Sequence, residues 1–198
     1  MLTQYKQLAQ LSETLYGGVF LCQVDASTDA STSARLAVLK LVDLRCAMAM
    51  LNAPLSSSSG GRGLDDPRQE KVVANLLRRT GGHRNVVQYL DDAIVDGVLY
   101  FVMEFCSGGD LHEHVNRQSH QQVDDNVSVA PRDRVAPLEA LAMAHDIASG
   151  LAFLHAHDIA HRDLSLENIL IGQEGTCKLA DFGLSTRATR RCSDRVGK

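Results

Sequence analysis

Three polar residues in the last quarter of the chain carry side chains that suit metal-assisted chemistry. Asp163, Asn168 and Asp181 lie around a predicted hairpin of two short apolar strands, residues 169–179. Carboxylate and amide oxygens suit Mg²⁺, which proteins usually hold through one or two carboxylates together with substrate phosphates. A carboxylate set apart from the metal can accept a proton from an attacking hydroxyl. These residues predict phosphoryl transfer; the alternative is a hairpin whose polar ends simply face water.

The spacing of these residues resembles the catalytic core of protein kinases. The chain reads H-R-D-L at 161–164, Asn168 follows Asp163 by five residues, and D-F-G occupies 181–183. Kinases carry the pattern H-R-D-L-x-x-x-N followed by D-F-G. The resemblance implies that Asp163 is the catalytic base, and that Asn168 and Asp181 bind the Mg²⁺ that accompanies ATP.

Size and composition place the chain among ordinary globular proteins. Its 198 residues are 44% hydrophobic and 22% charged, enough for one large domain or two small ones. A net charge of −4 gives no basic field for nucleic acid or an anionic membrane. We see no apolar run that would span a bilayer and no secretory signal pattern. Scattered cysteines without a C-x-x-C pair favour a reduced intracellular compartment, and we expect a cytoplasmic location: Cys22, Cys46, Cys106, Cys177 and Cys192.

Residues 5–24 predict a strand, a turn and a second strand. The kinase resemblance places Gly17 and Val19 at the end of the phosphate-covering loop G-x-G-x-x-G-x-V, where they would contact the nucleotide. Ser12 and Thr14 stand where the first two glycines of that loop belong. Glycine lets backbone N–H groups approach phosphates without interference from Cβ, so this loop would cover ATP less closely. A plain hairpin turn is the alternative.

The apolar strand 36–42 contains a single cation, Lys40. Residues 37–40 resemble the kinase sequence V-A-I-K. The resemblance implies that Lys40 holds the α- and β-phosphates of ATP and that Ala37 lines the nucleotide site. A lysine on the solvent face of the strand is the alternative.

A helix is predicted to start at Asp66 and Pro67, an N-cap followed by a proline in the first turn, and to end near Arg79 before two glycines. Three- and four-residue spacing places Glu70 on the apolar face of this helix. An acid on an apolar face needs a partner, and Lys40 is the candidate, as in the Lys–Glu ion pair of kinases. An ordinary surface glutamate is the alternative.

Asp96-Gly97 between two apolar runs predicts a hairpin, and the second run is apolar enough to be buried. By resemblance, this second run leads into the kinase hinge, after which Asp110 would face the ribose or act as a plain N-cap. The pair His112 and His114 suggests a metal, but we prefer solvated helix histidines because no zinc-type cluster accompanies them. The remaining implied nucleotide contacts are Met103 as gatekeeper, the backbones of Glu104 and Cys106 at the adenine edge, and Leu170.

The expected fold class is α+β, in the two-lobed arrangement of kinases. We expect a small antiparallel β-sheet lobe with one helix at 1–103, a hinge at 104–110 and a partial helical lobe at 111–198. Low-complexity or polar composition predicts surface insertions at 52–63 and 117–136. A long helix should follow at 137–157, with a buried stripe formed by Met143, Ile147, Leu151 and Leu154.

Two departures from the kinase pattern affect function. Ser165 stands where Ser/Thr kinases usually place a lysine beside the γ-phosphate, so a transition-state cation is absent from its usual position. No A-P-E follows residue 183, so we expect an incomplete kinase domain with an exposed apolar patch on the 137–157 helix. Residues 185–198 resemble an activation segment, in which an upstream kinase would phosphorylate Thr189 or Ser193 for pairing with Arg162.

The sequence therefore predicts a kinase that transfers the γ-phosphoryl group of ATP to proteins, with Ser/Thr favoured over Tyr by residues 108–111. One alternative is a pseudokinase-like module that binds ATP without turnover, which Ser12, Thr14 and Ser165 favour. A small-molecule phosphotransferase of similar fold is the other alternative, against which H-R-D-L and D-F-G argue.

Overall fold

The computed structural model describes residues 4–24, 35–53, 64–120 and 135–187. Its largest sheet has five antiparallel strands in the order β1-β2-β3-β5-β4. The predicted hairpin at Asp96-Gly97 is confirmed, and both residues have positive φ, 51° and 83°, as a tight two-residue turn requires. The strands of this sheet are β1 (Tyr5–Thr14), β2 (Gly17–Val24), β3 (Arg35–Asp43), β4 (Tyr89–Val95) and β5 (Val98–Glu104).

Two helices, α1 (Leu44–Leu51) and α2 (Pro67–Thr80), accompany the sheet. The sequence predicted α2 with its N-cap and its end: the Asp66 side chain accepts from the backbone of Arg68, and Gly81 ends the helix at φ 82°. The sequence analysis had only one helix here and did not predict α1. The Asp43 carboxylate caps α1 by accepting from the backbone N–H groups of residues 45 and 46.

The second half of the chain contains α3 (Leu111–His120), α4 (Pro137–Ala156) and two small two-stranded sheets. One hairpin joins β7 (Ile169–Ile171) to β8 (Cys177–Leu179), as the sequence predicted for residues 169–179. In the other sheet β6 (Ile159–Ala160) pairs antiparallel with β9 (Thr186–Arg187), and the β7–β8 hairpin lies between these two strands in the chain.

The ranges expected to be insertions are only partly described. Because α3 continues to His120, the first four residues of the range 117–136 are helical. Asn52, the first residue of the range 52–63, forms the C-cap of α1. Residues 54–63 and 121–134 lie outside the described residues.

The burial of helix α4 differs between its two ends. Leu154 is fully buried, and the other members of the predicted stripe, Met143, Ile147 and Leu151, pack against the main core as partly buried side chains. Leu138 and Leu141, near the start of the helix, are 82% and 67% exposed. The expected apolar surface on this helix is therefore present at its N-terminal end.

The main core extends through both halves of the chain. It includes Leu77 of α2, Phe101 of β5, Leu154 of α4 and Phe182, all fully buried. A second, smaller cluster of Cys22, Ala37, Leu39 and Val102 covers the other face of the five-stranded sheet. Within the described ranges, no helix is both long and apolar enough to cross a membrane.

Candidate active site

The ammonium group of Lys40 joins three parts of the chain that are distant in sequence. Lys40 Nζ on β3 lies 2.8 Å from Glu70 Oε2 on α2 and 3.0 Å from Asp181 Oδ1, which follows β8. Lys40 and Glu70 are both buried. Burial alone would lower the pKa of Lys40, but the two carboxylates outweigh it and raise this pKa. The charge of Lys40 in turn lowers the pKa of Asp181. Lys40 is therefore a buried cation with two anionic partners.

The second carboxylate oxygen of Glu70 is bound by a residue that the sequence analysis missed. The hydroxyl of Tyr89 on β4 donates to Glu70 Oε1 at 2.8 Å. Both oxygens of this buried carboxylate therefore have a partner, as a charge removed from water requires. No sequence pattern links Tyr89 to Glu70, because the contact depends on how β4 packs against α2.

The amide of Asn168 holds the carboxylate of Asp163. Asn168 Nδ2 donates to the carbonyl oxygen of Asp163 at 2.8 Å and to its Oδ2 at 2.9 Å. A short 3₁₀ turn at Leu166–Asn168 delivers the amide, and the backbone N–H of Asn168 donates to the carbonyl oxygen of Ser165. The local chain therefore fixes the direction of the Asp163 side chain.

His161 connects this loop to the segment that carries Asp181. Its Nε2 lies 3.0 Å from the carbonyl oxygen of Ala180, and the backbone N–H of Asp163 donates to its Nδ1 at 3.3 Å. Because Nδ1 accepts a hydrogen bond, the ring is neutral and carries its proton on Nε2. Burial lowers the pKa of His161, which favours the same neutral form.

Phe182 is fully buried beside the site and keeps Asp181 in place. Its ring centroid lies 5.1 Å from that of His161 and 6.3 Å from that of Tyr89. Asp181 has a φ of 58°, a conformation that L-residues rarely adopt. The buried ring and the Lys40 contact hold Asp181 in this strained conformation, and such strain is common at functional sites.

The donor atoms left open by these contacts suit Mg²⁺. In the described ranges, Asp181 Oδ2 and Asn168 Oδ1 accept no hydrogen bond, and both are hard oxygen ligands. The same ranges contain no group of three or more His, Cys, Asp or Glu residues that could hold a metal. A cation here would therefore need further oxygens, such as those of a phosphate-bearing substrate.

Asp65 brings an additional carboxyl group that the sequence analysis did not identify. It precedes α2 and contacts Gly183, where an added Cβ would lie 3.0 Å from the Cβ of Asp65. The next backbone N–H, that of Asp66, donates to the carbonyl oxygen of Gly183 at 2.9 Å. Burial and the charge of Asp181 raise the pKa of Asp65. The residues before α2 therefore contact the segment 181–183 through a backbone hydrogen bond and side-chain packing.

One expectation from the sequence, that Ala37 lines the nucleotide site, differs from the structure. Val19 on β2 lies directly opposite Lys40, so these side chains share a face. Ala37 lies three residues before Lys40 and packs in the smaller cluster on the opposite face, so assigning Ala37 to the nucleotide site is wrong. Val38, two residues before Lys40, shares its face and lies opposite Met103. The two-residue period of a strand could have identified Val38.

The β1–β2 turn gives Gly17 a structural role of its own. Thr14 pairs with Gly17, which leaves a two-residue turn, and Ser12 pairs with Val19. A Cβ at Gly17 would lie 2.3 Å from the carbonyl oxygen of Leu41 on β3. This close backbone approach requires glycine whether or not a phosphate binds. The contact between this turn and a nucleotide stays a prediction.

At the end of β5, Glu104 lies opposite Ala37, so its side chain is on the other face of the sheet from Lys40. Glu104 Oε1 accepts from the backbone of Gln88 at 2.8 Å and from Lys178 Nζ at 2.9 Å. The backbone N–H of Cys106 makes no hydrogen bond within the described part of the chain, so it is open to a ligand acceptor.

The Asp110 carboxylate accepts a hydrogen bond from the backbone N–H of Glu113 at 2.7 Å, as expected if Asp110 is the N-cap of α3. The backbone of Asp110 also forms a β-bridge with Leu170. His114 on the same helix contacts Glu139 of α4 at 3.2 Å, and His112 contacts Asn116.

Comparison with known proteins places this arrangement in a family. Residues 65–197 match the family model described as protein tyrosine and serine/threonine kinase. The chain belongs to the protein kinase family. The five-stranded antiparallel sheet and the helical half that follows it are the two lobes of this kinase domain.

The relatives of this kinase domain include a protein named as a serine/threonine-protein kinase and proteins named as receptors. It is 33% identical over 120 residues to the serine/threonine-protein kinase pak-1 of Caenorhabditis elegans, a match covering 60% of this chain and 18% of that protein. It is 32% identical over 134 residues to a fibroblast growth factor receptor of Ciona intestinalis, covering 62% and 18%. For the angiopoietin-1 receptor of Danio rerio the identity is 32% over 123 residues, covering 61% and 11%. The chain spans less than a fifth of the length of these relatives.

Proposed function

We propose that this kinase domain transfers the γ-phosphoryl group of ATP, bound with Mg²⁺, to hydroxyl groups of proteins, with serine and threonine preferred. The observation that supports this most strongly is the contact of Lys40 with both Glu70 and Asp181. In the proposed reaction Lys40 would hold the phosphates and Asp181 would bind the metal, and phosphoryl transfer requires these two groups side by side.

Each polar group of the site has a role in this proposal. Asp163 orients the substrate hydroxyl and accepts its proton as the oxygen attacks the γ-phosphorus and ADP leaves. Mg²⁺, when bound to Asn168 Oδ1 and Asp181 Oδ2, supplies charge neutralisation at the phosphates. Lys40, oriented by Glu70, holds the α- and β-phosphates.

The nucleotide would lie between a small lobe, 1–103, and a large lobe that begins near 111, with 104–110 as the hinge. The open N–H of Cys106 supports adenine binding at this hinge. The residues that would line the rest of the nucleotide site are Gly17, Val19, Val38, Met103, Glu104, Asp110 and Leu170.

Phosphorylation by an upstream kinase at Thr189 or Ser193 belongs to the same proposal, although both positions lie outside the described residues. The buried Nε of Arg162 has no hydrogen-bond partner within the described ranges. Such a group can be satisfied by a phosphate. The preference for serine and threonine rests on residues 108–111, and a cytoplasmic location on the free cysteines.

The test is transfer of labelled γ-phosphate from Mg·ATP to a mixed protein substrate. The chain is compared with Asp163→Ala and with Asp91→Ala, a carboxylate removed from β4 outside the site. We expect transfer to serine and threonine in the unchanged chain and in Asp91→Ala, and none in Asp163→Ala. Equal transfer by all three proteins would contradict the proposal.

A second candidate function is an ATP-binding module without turnover. The observation that favours it is Ser165, whose buried Oγ has no partner within the described ranges and which supplies no cation to the catalytic loop. Saturable binding of Mg·ATP with no transfer to any protein, and with equal affinity in Asp163→Ala, would favour this candidate over the first.

A further inference from the structure

Tyr89 occupies a central position between the charged site and the aromatic core. Its side chain is 1% exposed, and it lies on β4, one of the two edge strands of the five-stranded sheet. The Tyr89 hydroxyl donates to Glu70 Oε1 at 2.8 Å. The ring packs edge-on against Phe101, with centroids 5.5 Å apart, and lies 6.3 Å from Phe182.

A continuous chain of polar contacts leads from this hydroxyl to the metal-binding carboxylate. Tyr89 binds one oxygen of Glu70, Lys40 binds the other at 2.8 Å, and Lys40 reaches Asp181 at 3.0 Å. A carboxylate held at both oxygens cannot rotate without breaking a hydrogen bond. The direction of Glu70, and with it the position of the Lys40 ammonium, therefore depends on Tyr89.

The packing around the ring of Tyr89 shows how its hydroxyl can reach Glu70. Ala74 lies four residues after Glu70, on the same face of α2, and belongs with Tyr89 and Phe182 to one fully buried cluster. A small side chain at this position leaves room for a large one across the interface. Phe182 contacts the same ring and immediately follows Asp181.

We infer that Tyr89 is a positioning residue, whose hydroxyl holds Glu70, and through it Lys40, in their phosphate-binding arrangement. This inference rests on the proposed function for the role of Lys40. It adds a residue of β4 to the site and a physical link between α2 and the segment 181–183. In the proposed site Tyr89 acts on the nucleotide only through Glu70 and Lys40.

The test removes only the hydroxyl, by Tyr89→Phe. The matched control is Tyr100→Phe on the neighbouring strand β5, where the tyrosine is half-buried and has no hydrogen bond to Glu70. We expect the Kd for Mg·ATP, measured by calorimetry, to rise about tenfold in Tyr89→Phe, the size of one lost hydrogen bond to a charge. The control should stay within twofold of the unchanged chain.

A double-mutant cycle shows whether the hydroxyl acts through Glu70. In a Glu70→Ala background, Tyr89→Phe should change the Kd for Mg·ATP by less than about twofold, because the acceptor is already gone. A tenfold effect that persists in this background would overturn the inference, since the hydroxyl would then act by another route.

Amide hydrogen exchange tests the inference without any nucleotide. We expect faster exchange in α2 and in residues 181–183 of Tyr89→Phe, and unchanged exchange in β1 and β2. A variant that exchanges like the unchanged chain in α2 would overturn the inference. Failure of the unchanged chain to bind Mg·ATP would instead contradict the proposed function, and the exchange result would still decide the role of Tyr89.

Discussion

Asn168 Nδ2 donates hydrogen bonds to both the backbone carbonyl oxygen and the side-chain Oδ2 of Asp163, at 2.8 and 2.9 Å. One amide therefore fixes the carboxylate relative to its own backbone. The opposite end of the same amide, Oδ1, faces away from Asp163 and suits a metal ion. Asn168 thus couples the proposed base to the proposed metal site, and no other residue type supplies both a donor and a hard acceptor at this length.

Removal of this amide should impair chemistry more than binding. In Asn168→Ala we expect kcat for phosphoryl transfer to fall about 100-fold or more, because Asp163 loses its orientation and Mg²⁺ loses a ligand. Asn168→Asp should be impaired as well, since a second carboxylate repels Asp163. Steady-state kinetics on a peptide substrate measure the effect, with Asn75→Ala on the exposed side of α2 as the control. A kcat within threefold of the unchanged chain would contradict the coupling.

Asn85 should contribute to stability through a contact between the lobes. Its buried Nδ2 donates to the carbonyl oxygen of Cys177 on β8 at 3.0 Å. Asn85→Ala leaves that buried acceptor without its donor, so we expect the free energy of unfolding to fall by about 1–3 kcal/mol. Urea denaturation measures this change, and Asn75→Ala should leave stability nearly unchanged. Equal midpoints for the two variants would show that the Asn85 side chain carries no such contribution.

The features that the sequence predicts best are those determined by residues close to one another in the chain. The bounds of α2 follow from Asp66 and Gly81, and the β4–β5 hairpin follows from Asp96-Gly97. The partnership of Glu70 with Lys40 also followed from pattern, because an acid on an apolar helix face needs a cation. The family model matches residues 65–197, which contain H-R-D-L and D-F-G; the segment 37–40 that resembles V-A-I-K lies before the matched residues.

Contacts that arise only from packing could not be predicted. The hydrogen bond from Tyr89 to Glu70 and the approach of Asp65 to Gly183 join residues with no characteristic spacing. Ala37 differs for another reason: the resemblance to V-A-I-K carries no information about faces, and the two-residue period of β3 places Ala37 on the face opposite Lys40. Helix α1 is not predicted from the sequence, although Asp43 is a suitable N-cap.

Gly150 of α4 should be irreplaceable for steric reasons. A Cβ there would lie 2.5 Å from the carbonyl oxygen of Asn85 and 3.0 Å from a methyl carbon of Leu179. Intrinsic helix propensity alone would make Gly150→Ala stabilising by about 1 kcal/mol. We expect the reverse sign, a loss of about 1–3 kcal/mol from overpacking. Urea denaturation of Gly150→Ala shows whether the free energy of unfolding rises or falls. The exposed Ala148→Gly variant measures helix propensity in the same helix, and a rise in Gly150→Ala would contradict the prediction.

His161 should make the fold less stable in mild acid. Burial lowers its pKa from the ordinary value of 6.5, although the charges of Asp181 and Asp163 oppose this. Below pH 6.5 the unfolded chain therefore binds more protons than the folded one, and the free energy of unfolding falls as the pH drops. In His161→Gln the decline between pH 7 and pH 5 should be shallower. Urea denaturation across this range measures it, with the exposed His145→Gln as control; identical slopes for His161→Gln and the unchanged chain would contradict the prediction.

Ser165 offers a test of whether the catalytic loop lacks a cation. Charged groups that stabilise a phosphoryl-transfer transition state are often worth a few kcal/mol in the barrier. If the site is otherwise competent, Ser165→Lys should raise kcat by about tenfold or more and leave the Kd for Mg·ATP nearly unchanged. The control is Ser149→Lys on α4, a similar change of charge outside the loop. An increase in both variants would point to net charge rather than position, and no increase in Ser165→Lys would show that the missing lysine does not limit the reaction.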